Sequence, residues 1–533
     1  MVSGKNLEVG SWKSELFLFF ARVRWIALVV ILSLFVINAA ADTNSSFQEF
    51  TSTRCVTSMA IDQYGTLWVG TRGGILKRDI TGKWTKQTTQ DGLPSNEVES
   101  VAITKTGTVK VLFPNATEIW KDQQWSTEKS TSIQPKQYQL PQTQWQHKTV
   151  QATWSGLQIG DQHIKMPTTT GSYISALLPQ GKVLLVAIYG DGIWSFDGSK
   201  WQKRYSSLPA KANQITSLAE NPATKVLFAG TRRAGVWMFD GEKWQQHLQA
   251  NEPYNDDIQS LISFQGNLFA TTLEDGLLQY ANGRWFHFDE STLSSNAPRQ
   301  MVVFQDNLYV QYGNGKVDRF DGKVWQRNVF PNLPRGKVYS LAADDKNLYL
   351  GQWGGWSKWD GKSFQHFLKI PELQGVPVML LHPIGYSLWI GTQSLGIARY
   401  YDYQKNQFHS GSFQIFDARQ GLPDDWITAI AGNSEENLFV GTFVGGLARK
   451  SISGWETFTP VAGENVTALE MDGTGGAYIA TRHGVWHKSE SDIWRNYQQS
   501  YPALAPEAQA LLNTPQGLWI GTRTGLFLLN TNK

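Results

Sequence analysis

Arginine follows threonine at one recurring place in the chain: Arg72, Arg232, Arg482 and Arg523 stand directly after Thr71, Thr231, Thr481 and Thr522. The equivalent place elsewhere carries Trp154, Tyr189, Trp353 and Phe443, and once Gln393. A guanidinium grips a carboxylate or sulfate through two parallel N–H donors. Flat aromatic faces offer sugar rings an apolar surface to stack on. With Trp426, which ends a nearby loop, these residues are the candidate ligand contacts, and the combination suits an acidic oligosaccharide. The structural alternative for each is an arginine paired to a neighbouring sheet, or a tryptophan packed between sheets.

Motifs for catalysis are missing. The sequence holds no GxSxG elbow, HExxH helix, Walker loop or EF-hand loop. His483 and His487 can share one face of a strand, but a lone histidine pair without a carboxylate partner is a weak metal motif. Asp191, Glu274 and Asp275 lie on candidate loops, yet glycoside hydrolysis needs two carboxylates at a set separation, which spacing along the chain does not supply. No cofactor and no metal are expected.

The elements that must position these residues are copies of one unit. LWVGTRGGILKRD from Leu67, LWIGTQSLGIARY from Leu388 and LWIGTRTGLFLLN from Leu518 overlay directly, with weaker copies from Leu227, Leu438 and Ala477. The threonine position falls at Thr71, Phe113, Thr153, Ile188, Thr231, Thr272, Tyr312, Gln352, Thr392, Thr442, Thr481 and Thr522. A near-constant period of about 40 residues is the mark of a repeat architecture.

Each unit reads as four short strands. In the first copy these are VTSMAID, TLWVGT, ILKRD and WTKQT, joined by turns at Tyr64-Gly65 and Thr81-Gly82 and by the Arg72-Gly73-Gly74 loop. Asp-Gly recurs at the third turn, at Asp197, Asp240, Asp321 and Asp360, where a tight hairpin needs a positive backbone angle. An aromatic follows on the fourth strand, such as Trp84, Trp201, Trp244 or Trp455, as a wedge between neighbouring sheets. Leu67-Trp68, Leu388-Trp389 and Leu518-Trp519 lie mid-strand and belong to the core.

Four-stranded sheets packed radially make an all-β propeller of about twelve blades. The last copy ends after its third strand, and Phe47-Gln48-Glu49-Phe50 resembles the missing fourth. Two propellers of about six blades, 42–298 and 299–533 with a boundary near Pro298, divide the copies evenly. A single large ring, or two nested rings, suits closure from the amino terminus equally. In a propeller, the loops joining strands two and three open on the same face as those leading to the next blade, and ligands sit where such loops converge.

The amino terminus carries Lys13, Arg22 and Arg24, then the apolar run Trp25 to Ile37, then Ala39-Ala40-Ala41. This pattern describes a secretory signal or a membrane anchor within residues 1–41, placing the remainder outside the cytoplasm, periplasmic or secreted. Aromatic residues make up 13% and charged ones 17%, which excludes a disordered chain. A net charge of +3 disfavours nucleic acid as a partner. The single cysteine, Cys55, rules out an internal disulfide framework.

LWVGTRGGILKRD followed by Gln90-Asp91-Gly92-Leu93-Pro94-Ser95-Asn96, with a second match at Gln420-Gly421-Leu422-Pro423-Asp424-Asp425-Trp426, resembles the two-component regulator propeller repeat. The resemblance spans nearly everything beyond residue 45 and implies an extracytoplasmic propeller sensor of the kind that binds breakdown products of polysaccharides. Family members often place paired propellers ahead of a histidine kinase. Here no spacer sandwich, second span or kinase follows the last copy, so the expectation is a binding protein working with a separate signalling partner in the membrane. A protein-interaction scaffold is the alternative reading, and a polysaccharide-degrading enzyme a further one.

Overall fold

The computed structural model describes residues 47–531 apart from 115, 122–123, 128–139, 169–170, 206–207, 369, 402–411, 502–503 and 505–506. The expected signal or anchor at 1–41 lies outside the described residues. Among the described residues, no helix is long and apolar enough to cross a membrane.

Twelve four-stranded antiparallel sheets follow one another along the chain, numbered here 1 to 12. They cover 56–87, 100–127, 142–165, 174–204, 215–247, 258–288, 298–326, 340–367, 380–416, 427–457, 466–496 and 508–529. Sheet 12 supplies only three of its strands from that range. Its fourth is Phe47–Phe50, hydrogen-bonded beside Gly525–Leu529, as the Phe-Gln-Glu-Phe segment suggested.

Alternation decides how each sheet meets its two neighbours. On the second strand of sheet 1, Leu67 packs toward sheet 5 while the adjacent Trp68 packs toward sheet 2. Side chains one residue apart leave opposite faces of a strand, so the Leu-Trp dipeptide serves two seams at once. The fourth-strand aromatics pack in these seams as wedges, among them Trp84, Trp125, Trp201 and Trp455. At the third turn, Asp197 Oδ1 accepts the backbone N–H groups of Ser199 and Lys200, and Gly198 takes φ 102°.

The glycine before the recurring threonine makes room for the next sheet. A β-carbon on Gly70 would collide with Val98, one on Gly441 with Val466, and one on Gly391 would press on Ile427. Each of those aliphatic residues stands at or just before the head of the following sheet's innermost strand. By the same rule Gly230 of sheet 5 meets Val56 of sheet 1, and Gly521 of sheet 12 meets Ile258 of sheet 6. Thr216 Oγ1 also donates to the Val56 carbonyl at 2.7 Å.

The sheets therefore close as a ring of five, sheets 1–5, and a ring of seven, sheets 6–12. Val56, Met59 and Leu67 bury against Ala219, Phe228 and Val236 at the first closure. Ile258, Leu268 and Leu278 bury against Ala510, Trp519 and Leu526 at the second. This corrects the even division: the boundary falls between His247 and Ile258 rather than near Pro298, and a single twelve-sheet ring is excluded. The period counts sheets, but closure depends on which inner strands pack side by side. Because sheet 12 takes its last strand from Phe47–Phe50, the five-sheet ring is nested inside the sequence of the seven-sheet ring.

Two crossing segments join the rings, 51–55 going out and 248–257 returning. They bind each other: Thr53 N donates to Glu252 Oε2 at 2.8 Å, its hydroxyl donates to the same carboxylate, and Ser52 N donates to Asp256. Lys86 reaches over from sheet 1 to donate to the Thr51 carbonyl at 2.6 Å.

Candidate functional site

The recurring threonine builds the loop that carries the candidate residues. Thr71 Oγ1 donates to the Gly74 carbonyl at 2.6 Å and accepts the Gly73 N–H at 3.1 Å, so one buried hydroxyl pins both ends of the loop between strands two and three. Thr231, Thr272, Thr392, Thr442, Thr481 and Thr522 make the same closure. The next residue is thereby fixed at the loop face: Arg232, Arg482, Arg523 and Gln393 are exposed, and Arg72 and Phe443 half-buried; Tyr189, also half-buried, follows Ile188 instead.

The four arginines come together. Arg72 and Arg232 of the five-sheet ring line one cleft with Cys55, Asp256, Asp257 and Leu273. Arg482 and Arg523 of the seven-sheet ring line an adjoining cleft, and Asp257 and Leu273 are walls of both. One repeat position, used in four sheets of two rings, thus lines two adjoining clefts that share Asp257 and Leu273 and are together called the crevice.

Their ionic environments differ. Arg523 is paired with Glu507 at 2.8 Å, an acid at the entry to its own sheet rather than on a neighbouring one. Arg72, Arg232 and Arg482 have no carboxylate at ion-pair distance among the described residues. The adjacent Arg233 is held by Glu274 at 2.7 Å and Asp275 at 3.0 Å, which accounts for both those loop acids. Asp257 is engaged by the side-chain amides of Gln259, at 2.5 Å, and Gln509, at 3.3 Å. Burial pushes the Asp256 carboxyl up to about 7, against the pull of its Ser52 N–H bond and of Lys86. Burial likewise raises the Cys55 thiol and lowers the Lys86 ammonium.

The aromatic candidates stand apart from this crevice. Trp154 is 66% exposed and meets Tyr173 edge-on at 6.2 Å, and Tyr173 stacks on Tyr189 at 5.0 Å. Trp353 lies 6.4 Å from Tyr339, and Trp426 stacks on Phe443 at 4.3 Å. None of these, nor Gln393, lines either cleft. Gly92-Leu93-Pro94 is a turn, with Gly92 at φ 91° and Leu93 buried.

His483 and His487 hold two different carboxylates, Glu464 at 2.8 Å and Asp472 at 2.9 Å. Among the described residues no cluster of metal-binding side chains occurs.

Several crevice residues escape a repeat-based reading because they belong to the crossing segments, where no period operates. Arg54 lies 4.3 Å over the Tyr254 ring, and Tyr254 stacks on His287 at 3.7 Å and 7°. A second group sits at the inner-strand bulges, which insert Thr57, Ser175, Thr216, Gln259, Arg299, Thr428, Thr467 and Gln509. The readable signal is a polar residue directly after the residue that opens the strand. Most of these residues tie neighbouring sheets together, as Thr428 and Thr467 do by donating to the Val466 and Ala508 carbonyls.

A comparison with known families decides the repeat's identity. Residues 51–73 match the two component regulator propeller model. No curated protein matches the sequence. Among solved structures, PorZ, a bacterial surface component of the type-IX secretion system of Porphyromonas gingivalis, is similar with a TM-score of 0.61 at 12% identity, over 91% of this chain and 87% of its own. The extracellular domain of a putative hybrid two component system from B. thetaiotaomicron gives 0.43 at 16%, over 89% and 70%. A GH74 xyloglucanase from Xanthomonas campestris gives 0.45 at 13%, over 88% and 82%. At these identities the likeness is one of fold.

Proposed function

We propose that the chain is an extracytoplasmic binding protein whose inter-ring crevice captures an acidic oligosaccharide and which passes that event to a separate partner in the membrane. The observation that carries this reading is the convergence of Arg72, Arg232, Arg482 and Arg523 on adjoining clefts, three of them without a carboxylate partner among the described residues. Unpaired guanidinium groups drawn from two rings form a preset receptor for carboxylate or sulfate, because their positions are fixed by loop closure before any ligand arrives. Residues 1–41 support the location, since a positive flank and an apolar run direct export.

Isothermal titration against uronic and sulfated sugars, chosen from a glycan array, tests the reading. Arg72→Ala and Arg482→Ala are each expected to weaken binding at least tenfold, the loss of one charge-assisted hydrogen bond. An array without preference for acidic glycans would overturn it. Release of shortened sugars from the bound glycan would transfer the site to the enzyme reading.

A further inference from the structure

The crevice continues beyond the arginines. Arg54, Arg233, Tyr254 and Asp275 are shared with an outer groove of about 530 Å³. Gln214, Trp237 and Gln246 contribute from the five-sheet ring, and His287, Asp289 and Asn296 from the seven-sheet ring.

Two properties separate this groove from the clefts that hold the arginines. Its formal charges balance, with Arg54, Lys211 and Arg233 facing Asp275, Asp289 and Glu290. Arg233 is already paired to Asp275, Lys211 stands 4.0 Å from Asp289, and burial lowers the His287 imidazole below its usual range. Among the described residues only Arg54 lacks a carboxylate partner here, and it lies over the Tyr254 ring, so a second anion would meet three carboxylates against one open cation. The other property is polar demand. Arg54 Nε, Trp237 Nε1 and Gln214 Oε1 are buried without a hydrogen-bond partner, two donors and one acceptor on residues lining the same groove. Each such orphan is a hydrogen bond left unmade, which a ligand hydroxyl reaching it would supply.

We infer that the groove is a subsite for a neutral, hydroxyl-bearing sugar residue, contiguous with the arginine crevice. The inference rests on the proposed acidic-oligosaccharide reading and extends it: the ligand is a chain with its acidic unit at the arginines and a neutral unit in the groove. Hydroxyls both donate and accept, matching the mixed orphan set, and an indole beside them offers the apolar surface a pyranose ring prefers.

The test compares glucuronic acid alone with an oligosaccharide in which one glucuronate is followed by three neutral sugars, titrated into the whole exported chain. The oligosaccharide is expected to bind at least tenfold more tightly. Trp237→Phe, which keeps a ring but removes the N–H, and Gln214→Leu are each expected to weaken the oligosaccharide about fivefold to tenfold and leave glucuronic acid unchanged. Arg232→Ala weakens both. Melting temperatures accompany each titration, and either variant suffices if the other fails to fold. Equal affinity of the two ligands, or an oligosaccharide indifferent to both variants, overturns the subsite while the arginine reading stands. Failure of the wild type to bind either ligand overturns both.

Discussion

Gly230 of sheet 5 lies against Val56 of sheet 1, so tightly that no β-carbon fits between them, although 174 positions separate the two in the chain. This contact and its counterpart between Gly521 and Ile258 set the size of each ring. Gly230→Ala or Gly521→Ala must push two inner strands apart, an overpacking that costs about 1–3 kcal/mol. Urea denaturation of each variant reads the loss directly. An alanine that leaves the midpoint unchanged would mean that the seam is looser than described.

Thr522 pins the Arg523 loop with a hydroxyl that donates to Gly525 O at 2.9 Å and accepts from Thr524 N at 3.1 Å. Thr522→Val preserves shape and deletes both bonds, leaving the Thr524 N–H without its acceptor. A stability loss of about 2 kcal/mol is expected, visible as a lower melting temperature. Ligand affinity should fall with it, whereas Thr→Val at the remote Thr392 should cost stability without touching affinity.

Asp256 gives the junction between the rings a pH dependence of known sign. Its carboxyl is raised from an ordinary 3.8 to about 7 by burial, so the folded chain binds a proton that the unfolded chain releases. The associated stability is full below about pH 4 and is lost as pH rises toward 7. The nearby Glu252 is shifted the same way by burial. His247 runs opposite, its imidazole lowered to about 4 by burial and Arg78, so its contribution disappears as pH falls from 6.5. Comparing wild type with Asp256→Asn isolates the carboxyl. Relative to wild type, the amide should gain roughly 1 kcal/mol per pH unit between pH 5 and 7. A difference that is flat across that range would assign the carboxyl an ordinary titration.

Phe50 fastens the borrowed strand by stacking on Trp519 at 5.4 Å and meeting Tyr280 at 5.4 Å and Trp285 at 5.9 Å. Phe50→Ala should cost about 2 kcal/mol or more, since it empties an aromatic seam between sheets 6 and 12. Hydrogen exchange should localise the loosening to those two sheets and leave sheets 2 to 4 protected.

Much of this fold is legible in the sequence because its determinants are local and repeated. The Leu-Trp dipeptides, Asp-Gly turns, fourth-strand tryptophans and the Phe47–Phe50 strand each follow from strand alternation or turn geometry within one unit. The grouping into five and seven is not local. It turns on Gly230 meeting Val56 and Gly521 meeting Ile258, and every glycine in that motif looks alike on the page. The site divides in the same way. The arginines announce themselves by position, but their meeting depends on ring closure, while Arg54, Tyr254 and Asp256 lie in segments without a period to read. Aromatics at the same loop position, such as Trp154 and Trp353, go elsewhere because their sheets stand away from the junction.

The nesting of one ring within the other imposes an order on assembly. As the chain emerges from synthesis, sheets 1 to 5 can finish their circle once His247 is available, while Phe47–Phe50 must wait, unpartnered, until Gly525–Leu529 arrives. A strand with two phenylalanines and open backbone groups, left idle through most of translation, is an open invitation to wrong pairings. The first ring, whose entry and exit lie side by side through Thr53 and Glu252, is by contrast an insertion with a single point of attachment in the chain, and replacing it would cost its host the bridges from Arg233 to Glu274 and Asp275.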